Sequence, residues 1–263
     1  MTKQGFSKLK SLSEALEIMD SLVKEKGYEE ILVDDSFGRV LASDVVSNID
    51  VPDFEKSAMD GFAVKASETF GASQSVPKLF EIIDSVTAGV FSKEKVFGKK
   101  CVEITTGAPL PDGADAVVMV ENTEKEGKTV KIYKALAPAE NIIKIGSDVR
   151  KGTVILKKGT KLSPEKIGVL SAIGLVNVRV KCKPVIAYFS SGNEIQRPGG
   201  KHLSGKIYDI NSSTIKSAIK SHGCELVDLG LVKDNLSDIQ KLIKDGVKSA
   251  DIVILSGGSS LGG

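Results

Sequence analysis

From Lys183 onward the chain alternates between strand-like and helix-like runs, and that alternation leaves few folds open. Residues 185–189 are a continuous apolar run of strand length, residues 213–222 read as a helix ended by Gly223, and residues 225–229 as a second strand. Another helical period covers 236–247, and a third strand covers 251–255. Such a succession predicts a parallel, doubly wound α/β sheet with helices on its faces. Ligands of these sheets bind outside the carboxyl ends of the strands. The segments that fall there are Ser190-Ser191-Gly192-Asn193-Glu194, Lys233-Asp234-Asn235 and a glycine- and serine-rich stretch from Ser256 to the last residue. In that stretch Gly257, Gly258, Ser259, Ser260 and Gly262 either present backbone amides to a phosphate or form a plain strand-to-helix turn.

The chain before Lys183 is organised differently. Leu12, Ala15, Leu16, Met19, Leu22 and Val23 repeat at helical spacing, and Ser11 with Glu14 makes a capping box, so a first helix is expected to run to about Gly27. Short β runs at 31–33, 40–46, 79–83, 102–105 and 116–120 follow, punctuated by Gly, Pro and Asp. A second β pair, 154–156 and 176–180, is expected to bracket a helix that Ser163 caps, Pro164 opens and Gly174 closes. The expected architecture is α/β and multidomain. It has an N-terminal helix (1–27) packed on the α/β domain, a small α+β connector (28–46 and 151–182), a β-rich insertion domain (47–150) and the α/β domain (183–263).

Charge and cysteine usage narrow the functional class. The net charge of +2 comes with no block of basic residues large enough for a nucleic-acid footprint, and the Lys157-Lys158 pair reads as solvated surface. Cys101, Cys182 and Cys224 lie far apart without CxxC spacing, which points to buried thiols rather than a disulfide framework or a zinc site. No apolar run approaches the roughly 18 residues of a membrane span, and the N-terminus lacks the apolar core of a signal peptide. A cytoplasmic protein with neither nucleic-acid nor membrane partner is expected. His202 and His222 lack metal-ligand spacing, and His222, ending a helix, suits the helix dipole.

Residues 51–64, VPDFEKSAMDGFAV, have neither helical nor strand period. Pro52 presets a backbone torsion, Ser57 and Ala58 keep the surface open, and Asp60-Gly61 turns into Phe62 and Ala63. Asp53 and Asp60 either face a ligand or hard cation, or hydrogen-bond their own backbone in a hairpin turn. Thr106, in a loop fixed by proline and glycine, faces the same choice between a site hydroxyl and a turn satisfied locally.

The SAMDGFAV sequence preceded by PDF resembles the signature of the MoeA family, the molybdopterin molybdenumtransferases, also found as the E domain of gephyrin. Further segments match in the same order: ITTGAPLPDGADAVV (104–118), NIIKIGSDVRKG (141–152), FSSGNEI (189–195), GKIYDINSSTI (205–215), LGLVKDN (229–235) and LSGGSSLG (255–262). The resemblance covers nearly all the chain. It implies a transferase of molybdenum-cofactor synthesis that joins molybdate to the dithiolene of adenylylated molybdopterin and releases AMP, with Mg²⁺ as divalent cation. It also implies a molybdopterin-binding-like α/β domain and a homodimer, with a MogA-like molybdopterin adenylyltransferase as the upstream partner. Asp60, Thr106, Asp148, Glu194 and Asp234 carry over as catalytic candidates, with Glu194 and Asp234 the metal-side pair. Ser57, Asp53, Lys144, Gly192, Asp209, Asn211 and the Gly257, Gly258, Ser259, Ser260 and Gly262 loop carry over as substrate-binding candidates.

Departures from the family pattern are expected to matter. Ile143, Lys144 and Ile145 stand where the family commonly has arginines, leaving one cation for an anion. Asn193 replaces a usual aspartate beside Glu194. The family continues past the glycine loop with an aspartate, lysines, further strands and a small β domain. The α/β domain is therefore expected to be incomplete at Gly263, and the alternative to an enzyme is a non-catalytic, dimeric pterin-binding or scaffold form.

Overall fold

The computed structural model describes residues 10–257, which form two compact units. One comprises the described residues of Met1–Ser43, Lys158–Ile167 and Val176–Gly263; the other comprises Asp44–Lys157 and Gly168–Leu175.

In the first unit, helix α1 (Leu12–Leu22) begins with the expected capping box: the Glu14 amide donates to the Ser11 hydroxyl at 3.2 Å and the Ser11 amide donates to the Glu14 carboxylate at 2.7 Å. The helix stops well short of Gly27 because Val23 takes extended backbone (φ −67°, ψ 124°). Leu12, Leu16, Met19 and Leu22 are all exposed. Tyr28–Leu32 then pairs antiparallel with Asn177–Lys181. Helix α2 (Pro164–Ala172), whose residues divide between the two units after Ile167, starts on its proline and ends before Gly174 at φ +76°.

The two β runs expected to pair around α2 do not pair with each other. Asn177–Lys181 pairs with Tyr28–Leu32, whereas Val154–Leu156 pairs with Val45–Val46 in the second unit. Of the run expected over 40–46, only Val45–Val46 is a strand; Val40 and Leu41 make isolated bridges to Lys161 and Val180.

The α/β part of the first unit is a three-stranded parallel sheet. Val185–Ser191 lies in the centre, flanked by Glu225–Val232 and Ile252–Ser256. Helix α3 (Ile210–Ser221) and helix α4 (Leu236–Ser249) connect them. Ala187, Tyr188 and Phe189 are fully buried, which explains why the central strand reads as an unbroken apolar run. Both helices are capped by side chains: Asp209 accepts from the Ser212 amide at 2.9 Å and Asn235 from the Ser237 amide at 2.9 Å. A small parallel pair, Ile195–Gln196 with Ile207–Tyr208, was not foreseen, since two-residue strands carry no period.

The second unit is built on a six-stranded sheet in the order Ala116–Met119, Gly61–Val64, Lys100–Ile104, Lys78–Val86, Thr129–Ile132, Thr123–Glu126. Its pairings are antiparallel except between Lys78–Val86 and Lys100–Ile104. Successive side chains point to opposite faces, and both faces are covered. Phe62, Val64, Phe80, Cys101, Val118, Val130 and Ile132 form one cluster; Ala63, Val86, Val102, Ile104 and Val117 form the other. Burial, reinforced by Glu103 and Glu81, pushes the Cys101 thiol up to about 12, which leaves it protonated and inert at neutral pH. Cys182 and Cys224 are half-buried rather than buried.

Candidate functional site

In the second unit, three loops are laced together around the 51–64 segment. The Ser57 amide donates to the Ala108 carbonyl at 2.9 Å and the Gly107 amide to the Ser57 carbonyl at 2.8 Å, so this segment and the 104–118 motif run side by side. Asp60 closes the pair: its Oδ1 accepts the Thr106 amide at 2.7 Å and the Thr106 hydroxyl at 3.0 Å. The Ser57 hydroxyl is buried and engaged within its own loop, donating to the Met59 carbonyl at 2.5 Å and accepting the Met59 amide at 3.2 Å.

The third loop, 141–152, lies against the same segment. The Ala58 amide donates to the Asn141 carbonyl at 2.9 Å, Gly146 to the Pro52 carbonyl at 2.9 Å and Asp148 to the Val51 carbonyl at 3.0 Å. Asn141 sits in the left-handed region (φ +60°), and its side-chain amide donates to the Val117 carbonyl at 2.8 Å. Asp53, Lys144 and Asp148 are thus exposed on loops tied to one another. Asp148 accepts the Ser147 hydroxyl at 3.2 Å, and Lys144 has no acidic partner among the described residues.

The Thr106 amide, followed by the Thr106 hydroxyl, holds the Asp60 carboxyl below its ordinary 3.8. A depressed folded value means that the loop lock is intact above pH 3.8 and is lost as pH falls through the lowered value. The Thr106 amide proton, followed by NMR, is expected to titrate with a midpoint under 3.8; a midpoint at or above that value would show that Asp60 does not hold the loop.

In the first unit, the candidates gather at the carboxyl ends of the parallel strands. The Asn193 amide donates to the Asp234 carboxylate at 3.3 Å, and the Asp234 amide donates to the Asn193 side-chain carbonyl at 3.4 Å, fastening two strand-end loops together. Gly192 is buried, and a Cβ there would lie 2.7 Å from the Ile195 side chain and 3.1 Å from Glu194 Oε2, so its bareness accommodates Ile195 first and the Glu194 carboxylate second. Glu194 and Asp234 are both exposed. Asn211 donates to the Ser256 hydroxyl at 2.8 Å, joining α3 to the end of the third strand.

Asp209 is buried at the start of α3. Burial pushes its carboxyl up, but hydrogen bonds from the Ser212 hydroxyl and amide and from Ser190 hold it below the usual carboxylate range. Ser190 hydrogen-bonds Tyr188 at 2.8 Å and Ser212 at 2.9 Å, whereas the neighbouring Ser191 hydroxyl is buried with no partner among the described residues. Beside it runs the bare backbone of Gly257 (φ +128°), where a Cβ would lie 2.2 Å from the Ser191 carbonyl oxygen. Gly258, Ser259, Ser260 and Gly262 lie outside the described residues.

Among the described residues no cluster of three or more His, Cys, Asp or Glu side chains is placed to hold a metal. Glu194 and Asp234 are exposed carboxylates, the donor type of which Mg²⁺ takes one or two while substrate phosphate and water complete its octahedron. Sequence reasoning missed Asn141 as the anchor of the 51–64 loop, though an asparagine before two isoleucines was its signal. It had no means of telling Ser191 from Ser190.

Residues 10–174 match the model of the MoeA N-terminal region (domain I and II), and residues 187–263 match that of a probable molybdopterin binding domain. The molybdopterin molybdenumtransferase of Staphylococcus epidermidis is 36% identical over 253 residues, 96% of this chain and 60% of its own length. That of Bacillus subtilis is 35% identical over 255 residues, 95% of this chain and 59% of its own. Two solved structures of the molybdopterin biosynthesis MoeA protein of Pyrococcus horikoshii superpose with TM-scores of 0.86 and 0.88 at 38% and 33% identity. They cover 96% and 95% of this chain, which covers 64% and 67% of theirs. The chain spans about 60% of the length of the curated relatives it matches. With both parts of the chain matched in order, and the two motif loops locked by Asp60 and Thr106, this protein belongs to the MoeA family.

Proposed function

We propose that the chain acts in molybdenum cofactor biosynthesis as a molybdopterin molybdenumtransferase. Its substrates are adenylylated molybdopterin and molybdate, and AMP leaves as the metal joins the dithiolene sulfurs. The observation that carries this reading is the carboxyl end of the parallel sheet, where Glu194 and Asp234 stand exposed on loops that Asn193 fastens together. The name shared by the curated relatives supports the same reading.

In this mechanism Glu194 and Asp234 would hold Mg²⁺. When bound, the cation neutralises charge on the phosphoanhydride as the adenylate departs. Asp60, kept ionised by Thr106, fixes the geometry of the two motif loops, and Lys144 meets the molybdate anion. No covalent enzyme intermediate is required. Assembly as a homodimer in the cytoplasm, with substrate supplied by a molybdopterin adenylyltransferase, belongs to the same reading. Among the described residues no helix is long and apolar enough to cross a membrane.

Calorimetric titration with adenylylated molybdopterin is expected to show binding that Mg²⁺ strengthens about tenfold, or ~1.4 kcal/mol. Glu194→Gln combined with Asp234→Asn should remove that Mg²⁺ dependence. If the double variant still responds to Mg²⁺, the cation is held elsewhere.

A further inference from the structure

A cleft of about 850 Å³ lies within the first unit, between the end of α1, the 35–40 segment and the end of α3. None of its lining residues belongs to the loops discussed above. Its wall carries seven Lys or Arg side chains against two carboxylates, Glu25 and Asp35. Three of those cations are matched: Lys26 pairs with Asp251 at 2.6 Å, Arg39 with Glu29, and Lys181 with Glu25. The other four, Lys24, Lys161, Lys183 and Lys220, have no acidic partner among the described residues.

Unmatched like charges on one concave wall repel each other, and the low-dielectric surroundings of a cleft focus their field on whatever enters. An anion relieves that repulsion. The free cations are all ammonium groups, point charges that donate to phosphate oxygens in many orientations. Arg39 is the one guanidinium lining the cleft, and guanidinium is the group suited to two-pronged carboxylate recognition; it is held by Glu29 and the Lys181 carbonyl. The wall is not uniformly charged. Phe37, 68% exposed, lines it together with Val23 and Pro184 and presents an apolar face. The volume falls in the range of small-molecule pockets, about 300–1,000 Å³.

We propose that this cleft binds a nucleotide, with its phosphates on Lys24, Lys161, Lys183 and Lys220 and its base against Phe37. The site is separate from the molybdopterin loops and does not depend on the function assigned to them.

The test is binding of a fluorescent ADP derivative to the 263-residue chain at low ionic strength, with unlabelled ADP, inorganic pyrophosphate and a polyglutamate peptide as competitors. Saturable, micromolar binding is expected, weakening as salt is added. Lys161→Ala with Lys183→Ala should weaken it about tenfold, and so should Lys24→Ala with Lys220→Ala. Phe37→Ala should weaken ADP severalfold while leaving pyrophosphate competition unchanged. The proposal is overturned if no saturable binding occurs, or if Glu194→Gln abolishes binding while both lysine pairs retain it. It is equally overturned if polyglutamate competes better than ADP.

Discussion

Gly61→Ala is expected to destabilise the second unit by about 3 kcal/mol, the upper end of overpacking costs, and to lower its melting temperature by roughly 12 °C. Gly61 opens a strand flanked on both sides, pairing with Ile104 and Met119. A Cβ there would lie 1.8 Å from the Val118 carbonyl oxygen and 2.9 Å from its carbonyl carbon. Both obstacles are backbone, so no rotamer change relieves the contact and the neighbouring strand must move. Because Asp60 precedes this glycine, that shift also pulls on the Thr106 lock. Gly127→Ala provides the contrast. That glycine, at φ +61° in a hairpin turn, has nothing within 4 Å of its would-be Cβ, so alanine costs only the left-handed backbone term of about 1 kcal/mol. Equal costs at the two positions, measured by thermal or denaturant unfolding, would mean that the strand at Gly61 gives way freely.

Asp60→Ala is expected to lower molybdate-dependent AMP release about a hundredfold while leaving the unfolding midpoint nearly unchanged. The Asp60 carboxylate is exposed and contributes little packing, yet it is the acceptor for both the amide and the hydroxyl of Thr106. Without it the 104–118 loop keeps its sheet anchors but loses its fixed approach to the 51–64 segment. Asp60→Glu, with the carboxylate restored on a longer arm, should recover part of the rate. A full rate in Asp60→Ala would assign Asp60 to the turn alone.

The α/β alternation was legible because its periods are long and the sheet is buried, so the strand and helix signals each run for several residues. The capping box of Ser11 and Glu14 was legible because it is local chemistry at fixed spacing. The strand Gly61–Val64 was not, because a glycine after Asp60 reads as a turn and only three apolar residues follow; its burial comes from neighbours distant in sequence. The edge strand Thr123–Glu126 was missed for the opposite reason: with few side chains buried, nothing selects apolar residues there. The pairing partner of residues 154–156 depends on where the chain returns from the six-stranded sheet, which no local pattern encodes.

At the candidate site, the aspartates and Thr106 were found through motif resemblance, and their contacts came only with the fold. Two adjacent serines on one strand face opposite sides, which explains why Ser190 is satisfied by Tyr188 and Ser212 while Ser191 is left against Gly257. No sequence pattern separates such neighbours.

The most direct test of the proposed function is molybdate-dependent AMP release from adenylylated molybdopterin by this chain in the presence of Mg²⁺. Release that requires molybdate and stops when Mg²⁺ is chelated is the expected result. Saturable substrate binding with no AMP release above the enzyme-free rate would contradict it and leave the chain a pterin-binding protein.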